Sequence, residues 1–565
     1  MRQNISRKML IIYMLLTVVA LVSMTVTNVS FDAEYQLAMA YRFFKGDAMI
    51  MQMWEPHQTS AFLNALFMKL YLIVTDTTTG IVLYMQIVGL IIRAVLAGLM
   101  YRLVERVSGK IPAMAVGMIY LLISPKELML PEFGNMQLWC GTLLFLSLMA
   151  YWKCNKTLWL VLSAIWLCMG VFSYPSFILV YLAVFCLLWK YADSKWKAIG
   201  VFTGVCAVIG IAFVGYLLNN IEFSVVMECL SRALAVEPSH TVSASEKFIA
   251  HLVHCGSVFV MIAGVFAIGF IISYSACKLC KRNFEAVQGI VCGWYVLMMC
   301  LLFNILSVEN RGGYSIPFVV LLLLGFWNRR RLNAEEQRFY ITSLAISVVS
   351  LFATLLLSDN AFIQAITYML VAICASVVPV YRWICTLKEE GTNIRFIKWG
   401  VHLFFGLIVF RCVFVHIPIY ERDQIYAITE DIALIRSGPA AGIITEEDGA
   451  ARQRDSFLEW DEYIQEGDSV WIMGHPVDTL GYLYKDVEVG APTVMSTPTY
   501  TEELLYYYEL NPEKYPDVIA MESSFGELSW ELLRNDWLMQ WVEQEYQADE
   551  VIDGNYWRYY IKRRD

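Results

Sequence analysis

The sequence predicts a mainly α-helical, polytopic membrane protein of about thirteen transmembrane helices, followed by an extracytoplasmic α/β domain. Three observations carry that prediction. Of 565 residues, 58% are hydrophobic and only 16% charged, and apolar runs near twenty residues recur along most of the chain, as soluble domains do not show. Charge is divided unevenly: residues 417–565 hold 11 Lys and Arg against 31 Asp and Glu, whereas 1–416 hold 31 basic and 20 acidic residues. The basic residues of the first part, finally, alternate from loop to loop.

The expected spans are 9–27, 80–101, 111–124, 136–152, 157–172, 175–190, 197–217, 252–276, 287–306, 314–328, 339–357, 361–381 and 399–417. Each must be helical, because lipid offers no partners to free backbone groups. With the N-terminus in the cytoplasm, inner loops hold 22 of the 31 basic residues and outer loops seven, a strong positive-inside bias. An odd span count then puts the acidic region outside. The first span has a basic start but no small-x-small cleavage signal, and reads as an uncleaved helix. The domains are therefore 1–417, a transmembrane unit with a first outer loop at 28–79 carrying interfacial helices, and 418–565, an extracytoplasmic unit.

The 14 cysteines lie almost all in spans or inner loops, and none follows Cys412, so no external disulfide framework is expected. The CKLC of Cys277 and Cys280 reads as two juxtamembrane thiols, and His251 with His254 lacks a ligand set for zinc. In the C-terminal region SVWIM (469–473), DVIAM (517–521) and YWRYYIK (556–562) read as strands. Helices are expected at 501–510, with Thr501 as N-cap, and at 528–545. That alternation predicts a partly parallel sheet. The region's tyrosines (Tyr500, Tyr506, Tyr507, Tyr508 and Tyr515) either orient a glycan on their faces or pack a cap.

Candidate chemistry is concentrated outside. Directly after the first span stands FDAEYQLAMAYRFFKGD (31–47), then MWEPHQ (53–58). Leu37, Tyr41 and Phe44 share one helical face, which suggests a helix lying along the membrane surface. Asp32 reads as a helix N-cap or as a base at the headgroup level, roles that do not exclude each other. Moving a sugar from a lipid phosphate to a hydroxyl needs a carboxylate to take the proton, and cations or donors for the departing phosphate. The outer loops supply Lys126 in SPKELMLPEFGN, Asn310 and Arg311 in SVENRGGY, and Glu55, His57 and Gln58 in WEPHQ. Each also has an ordinary reading, as a snorkelling cation, a helix end or a hydrogen-bonded surface residue. Arg93, inside the second span, reads as a residue with a structural partner or one snorkelling toward the cytoplasm.

An early Phe-Asp-x-Glu-Tyr after the first span, a helix ending in Lys-Gly-Asp, and then Trp-Glu-Pro-His-Gln resembles the GT-C membrane glycosyltransferases. The nearest branch is the bacterial one related to protein O-mannosyltransferases and lipid A aminoarabinose transferases. The resemblance implies a glycosyltransferase of the bacterial cytoplasmic membrane, moving a hexose or pentose from a polyprenyl-phosphate donor to an extracytoplasmic glycan, lipid or protein. It implies Asp32 as catalytic base with Glu34 its neighbour. Here Asp-Ala-Glu stands where the family has adjacent Asp-Glu. Glu55, His57, Gln58, Lys126, Asn310 and Arg311 are expected around the donor. No cofactor is required; a divalent metal is compatible with the motif. Membrane lipid is an expected partner and nucleic acid is not. The rival classes are a lipid-linked sugar flippase, which would place ionisable residues mid-span in pairs, and a structural protein of envelope assembly.

Overall fold

A computed structural model describes residues 7–27, 31–125, 129–236, 244–279, 316–356, 365–391, 394–414, 431–474, 476–496, 500–522 and 535–563. Three helices open the chain: α1 (Arg7–Thr27), α2 (Phe31–Lys45) and α3 (Gln58–Thr75). The bundle continues with α4 (Ile81–Ser108), α5 (Lys110–Leu122), α6 (Phe133–Cys154), α7 (Thr157–Ser173), α8 (Val180–Tyr191) and α9 (Lys195–Asn220). After α10 (Phe223–Val236) come α11 (Ala244–Leu279), α12 (Ile316–Asn328), α13 (Ala334–Leu356), α14 (Leu370–Glu389) and α15 (Arg395–Phe414). Every expected span meets a helix except 287–306, which lies outside the described residues. Seven of the described helices are long and apolar enough to cross a membrane by length and composition. Their outward faces carry apolar stripes, such as Ile11, Leu15, Val18 and Val22 on α1 and Val208, Ile211 and Val214 on α9. The chain is an integral membrane protein.

The end of α6 meets the α8–α9 turn, where Asn155 Nδ2 donates to Asp193 at 3.0 Å, and the start of α13 meets the end of α14, where Arg382 Nε donates to Glu336 at 2.8 Å. The C-terminal unit caps the other end of the bundle. It meets the start of α4, where the N–H of Gly80 donates to the Gly438 carbonyl at 3.0 Å and that of Val82 to Pro439 at 3.1 Å.

In the cap, β1 (Ile432–Leu434) and β2 (Ile444–Glu446) form an antiparallel pair, followed by α16 (Glu447–Tyr463). Next come β3 (Ser469–Met473), α17 (Leu480–Tyr484), β4 (Glu488–Val489), α18 (Glu503–Leu510), β5 (Val518–Glu522), α19 (Asp536–Gln540), β6 (Glu550–Asp553) and β7 (Trp557–Ile561). The main sheet runs β4-β3-β5-β7-β6, parallel on its first three strands and antiparallel on the rest. The three strands read from the sequence are all present. Helix α18 is entered from Glu502 rather than the expected Thr501, and the second expected helix is described only from Asp536 onward. The tyrosines belong to the core: Tyr500, Tyr507 and Tyr508 are buried, and the last two donate to the carbonyls of Ala491 and Gly490. Of the two readings the sequence left, packing is the one the buried rings satisfy.

Helix α2 departs from expectation. Ala33 to Arg42 are buried without interruption, so the helix has no face left to lie along lipid. One hydrophobic core joins α2, the first turns of α3 and α4, Phe133, Tyr174 and the interior of the cap. The chain boundary near 418 is thus not a boundary between cores. Helix α3 exposes Phe62, Leu66, Leu70 and Ile73 along one apolar stripe.

A buried ionic knot fastens the 46–55 loop to the cap. Arg42 donates through Nε to Asp47 at 2.6 Å, through Nη1 to Glu55 at 3.3 Å and to the Pro492 carbonyl at 3.0 Å, and through Nη2 to the Gln52 carbonyl. Lys514 of the cap reaches Asp47 at 2.6 Å and Glu488 at 2.9 Å. Glu55 accepts from the Val494 N–H at 2.6 Å, and Tyr507 donates to the Gln52 carbonyl at 2.9 Å. Every charge in the knot has an opposite charge in contact, which a dry site demands.

Candidate active site

At the capped end of the bundle the first turns of α2, α3 and α6 come together. The Ser60 hydroxyl donates to Gln36 Oε1 at 3.1 Å, joining α3 to α2. Asn64 Nδ2 donates to the Pro131 carbonyl at 2.7 Å, and the His57 ring lies flat on Phe133 at 3.9 Å, joining α3 to α6. Helix N-termini carry partial positive charge, so the starts of α3 and α6, brought together by His57 and Phe133, favour an anion beside them.

Asp32 stands in the first turn of α2 and is partly exposed. It is therefore a first-turn carboxylate, favourable to the helix dipole, rather than the N-cap the sequence suggested. Glu34 is two residues on, about 200° around the helix axis, and the surroundings diverge accordingly. Its carboxyl is fully buried, neither oxygen has a hydrogen-bond partner among the described residues, and burial together with the charge of Asp478 in the cap holds it well above the usual carboxylate range. The two acids of the motif therefore differ in kind: one is open to solvent, the other is kept neutral.

The remaining candidates divide. Gln58 is spent on the loop, its Oε1 accepting from the Ile50 N–H at 2.7 Å and its Nε2 donating to the Glu55 carbonyl at 3.0 Å. Glu55 is spent on the knot; burial pushes its carboxyl up, and Arg42 and the Val494 N–H pull it back. These two side chains shape the site from behind rather than facing into it. His57, between Phe133 and Tyr174, is partly exposed. Lys126, Asn310 and Arg311 lie outside the described residues.

The second outer loop reaches deeper than the sequence implied. Helix α5 ends at Leu122 after 13 residues, roughly 20 Å of rise and short of a hydrocarbon core of about 30 Å. The chain then packs directly on α4, where a Cβ at Gly89 would stand 1.7 Å from the Met129 carbonyl oxygen. Beneath it Arg93, 1% exposed, contacts the Leu121 carbonyl at 3.4 Å, Met129 Sδ at 3.5 Å and Asn135 Oδ1 at 3.4 Å. Arg93 does not snorkel; it holds the floor of the re-entrant loop. Glu132 caps α6, accepting from the N–H groups of Gly134 at 2.7 Å and of Asn135. The sequence signal for this floor was a lone arginine in the middle of an apolar span. Among the described residues no three His, Cys, Asp or Glu side chains gather as metal ligands would.

No family model matches the chain, and no curated protein matches it. Among solved structures it is similar to the oligosaccharyltransferase of Archaeoglobus fulgidus in complex with Zn and sulfate, at 11% identity and a TM-score of 0.43, over 90% of this chain and 68% of that one. The archaeal oligosaccharyltransferase AglB from the same organism, in complex with an inhibitory peptide and a dolichol-phosphate, is similar at 12% identity and a TM-score of 0.41, over 92% and 70%. ArnT from Cupriavidus metallidurans, bound to undecaprenyl phosphate, is similar at 11% identity and a TM-score of 0.42, over 98% of both chains.

Proposed function

We propose that the protein is a membrane glycosyltransferase that moves a sugar from a polyprenyl-phosphate donor to an acceptor hydroxyl outside the cytoplasm, with Asp32 as general base. The observation that carries this reading is the contrast within the FDAEY motif. Asp32 is partly exposed, whereas Glu34 is sealed and its carboxyl is held well above the usual carboxylate range by burial. A base must meet its proton in an open site, and of the two carboxylates Asp32 is the one with exposed surface. The positive-inside bias supports a cytoplasmic basic end, with α2 and the cap outside.

In the transfer Asp32 accepts the acceptor's hydroxyl proton as the oxygen attacks the anomeric carbon from the face opposite the phosphate, inverting it. The departing phosphate gathers negative charge beside the first turns of α3 and α6, with Lys126, Asn310, Arg311 and His57 as its partners. Glu55 and Gln58 act indirectly, by fixing the loop that bears His57. The donor is a hexosyl or pentosyl polyprenyl phosphate.

The test is to incubate the purified protein with polyprenyl-phosphate sugars and an acceptor extract and to measure free polyprenyl phosphate. Asp32→Asn keeps the size and first turn but cannot take a proton, so turnover is expected to fall by about two or more orders of magnitude with little change in melting temperature. Full activity in Asp32→Asn would end the assignment.

A further inference from the structure

At the end of the bundle opposite the cap, α12 and α14 cross so closely that a Cβ at Gly325 would lie 2.6 Å from Ser376 Cβ. Beyond that crossing Pro379 interrupts the hydrogen bonding of α14, and a groove of about 370 Å³ opens between the two helices. Val320, Leu323, Leu324 and Trp327 line it along one face of α12, with Trp383 opposite and Asn328 and Arg331 at its mouth. Its size falls within the roughly 300–1,000 Å³ usual for small-ligand sites.

The mouth is cationic and prepared. Asn328 is buried, donates to the Leu324 carbonyl at 2.9 Å and accepts from Arg331 Nε at 3.2 Å, which aims the guanidinium while leaving its terminal nitrogens free among the described residues. Arg330 is exposed beside it. The nearby acids do not cancel this charge. Glu336 is locked by Arg382 at 2.8 and 2.5 Å, which leaves Glu335 against Arg329, Arg330 and Arg331. Trp327, 80% exposed, lies at the same level, where indoles favour the membrane–water boundary.

We propose that this groove binds an anionic phospholipid, with one acyl chain against Leu323, Leu324 and Trp383 and the phosphate on Arg331 and Arg330. Apolar slot, aimed guanidinium and interfacial indole fit the two halves of one such molecule, and charge complementarity separates it from a zwitterionic lipid. The site is remote from Asp32 and does not depend on the transferase reading.

Native mass spectrometry of the detergent-purified full chain, offered phosphatidylglycerol and phosphatidylcholine in equal amounts, tests it. Phosphatidylglycerol adducts are expected to be preferred by roughly tenfold, since each basic residue at such a surface contributes several-fold. Arg330→Gln with Arg331→Gln should abolish the preference at unchanged melting temperature, both residues being exposed. Leu324→Trp should lose the adduct with the charges intact. Equal retention of both lipids, or an undiminished preference in the arginine variant, would overturn the proposal. So would displacement of the adduct by millimolar inorganic phosphate, which would show that no acyl chain is held.

Discussion

Replacing Arg42 by Met removes the centre of the ionic knot while filling most of its volume. The cost follows from what is left behind. Asp47 keeps Lys514 at 2.6 Å, so its charge remains paired. Glu55 keeps only the backbone N–H groups of Val494 and of Glu55 itself among its charge-stabilising partners and is fully buried. Removing one partner of a buried pair costs about 3–5 kcal/mol. Burial already pushes the Glu55 carboxyl up, and loss of the guanidinium removes the largest influence that pulls it back. The Gln52 and Pro492 carbonyls also lose their donor. A fall in apparent melting temperature on the order of 10 °C is expected for a unit of this size, with faster proteolysis at the cap. Adding Glu55→Gln to Arg42→Met should recover about 1–2 kcal/mol, because the orphaned charge is gone. Both are read by thermal scans in one detergent and by trypsin time courses at fixed pH. An unshifted melting temperature in Arg42→Met would refute the claim that the knot is dry and joins loop to cap.

Glu34→Gln should stabilise the protein at pH 8 and have little effect near pH 4. Below the unfolded value of about 4.3 both states hold the proton; as pH rises through it, the unfolded chain ionises while Glu34 does not, and native stability falls until the raised native pKa is reached. Thermal scans of wild type and variant from pH 4 to 8 read the difference, and transferase turnover in Glu34→Gln should stay within roughly tenfold of wild type. Gly89→Ala should prevent accumulation of folded protein, since its Cβ would meet backbone at 1.7 Å. Gly98→Ala, with nothing within 4 Å, should be neutral or stabilising by up to about 1 kcal/mol. Fluorescence size-exclusion yields of the two variants give the comparison.

The spans and the central strands were legible because their physics is local. SVWIM and the VIAM of 518–521 are buried throughout, so each reads as a largely apolar run bounded by turns. The surroundings of α2 were not legible. Glu34 and Arg42 look like solvated residues of a surface helix, and part of what covers them, Asp478 and Pro492, lies more than four hundred residues away in the chain. The depth of the second outer loop was hidden for a similar reason. Nothing local separates a 13-residue helix that stops inside the bundle from a miscounted span, and the Gly89 contact that proves the difference is made by a distant carbonyl.

The shared core of α2 and the cap bears on how this chain can be divided or recombined. A truncation after the last membrane helix would strip the helix bearing Asp32 of one wall, taking Asp478 from beside Glu34 and the Pro492 carbonyl from Arg42. A chimera that exchanged only residues after 418 would have to reproduce the placement of Pro492, Val494, Tyr507 and Lys514 to the ångström. The unit that can be inherited or transplanted intact is discontinuous: residues 31–58 travel with the C-terminal sheet, and the membrane bundle is the scaffold both are mounted on.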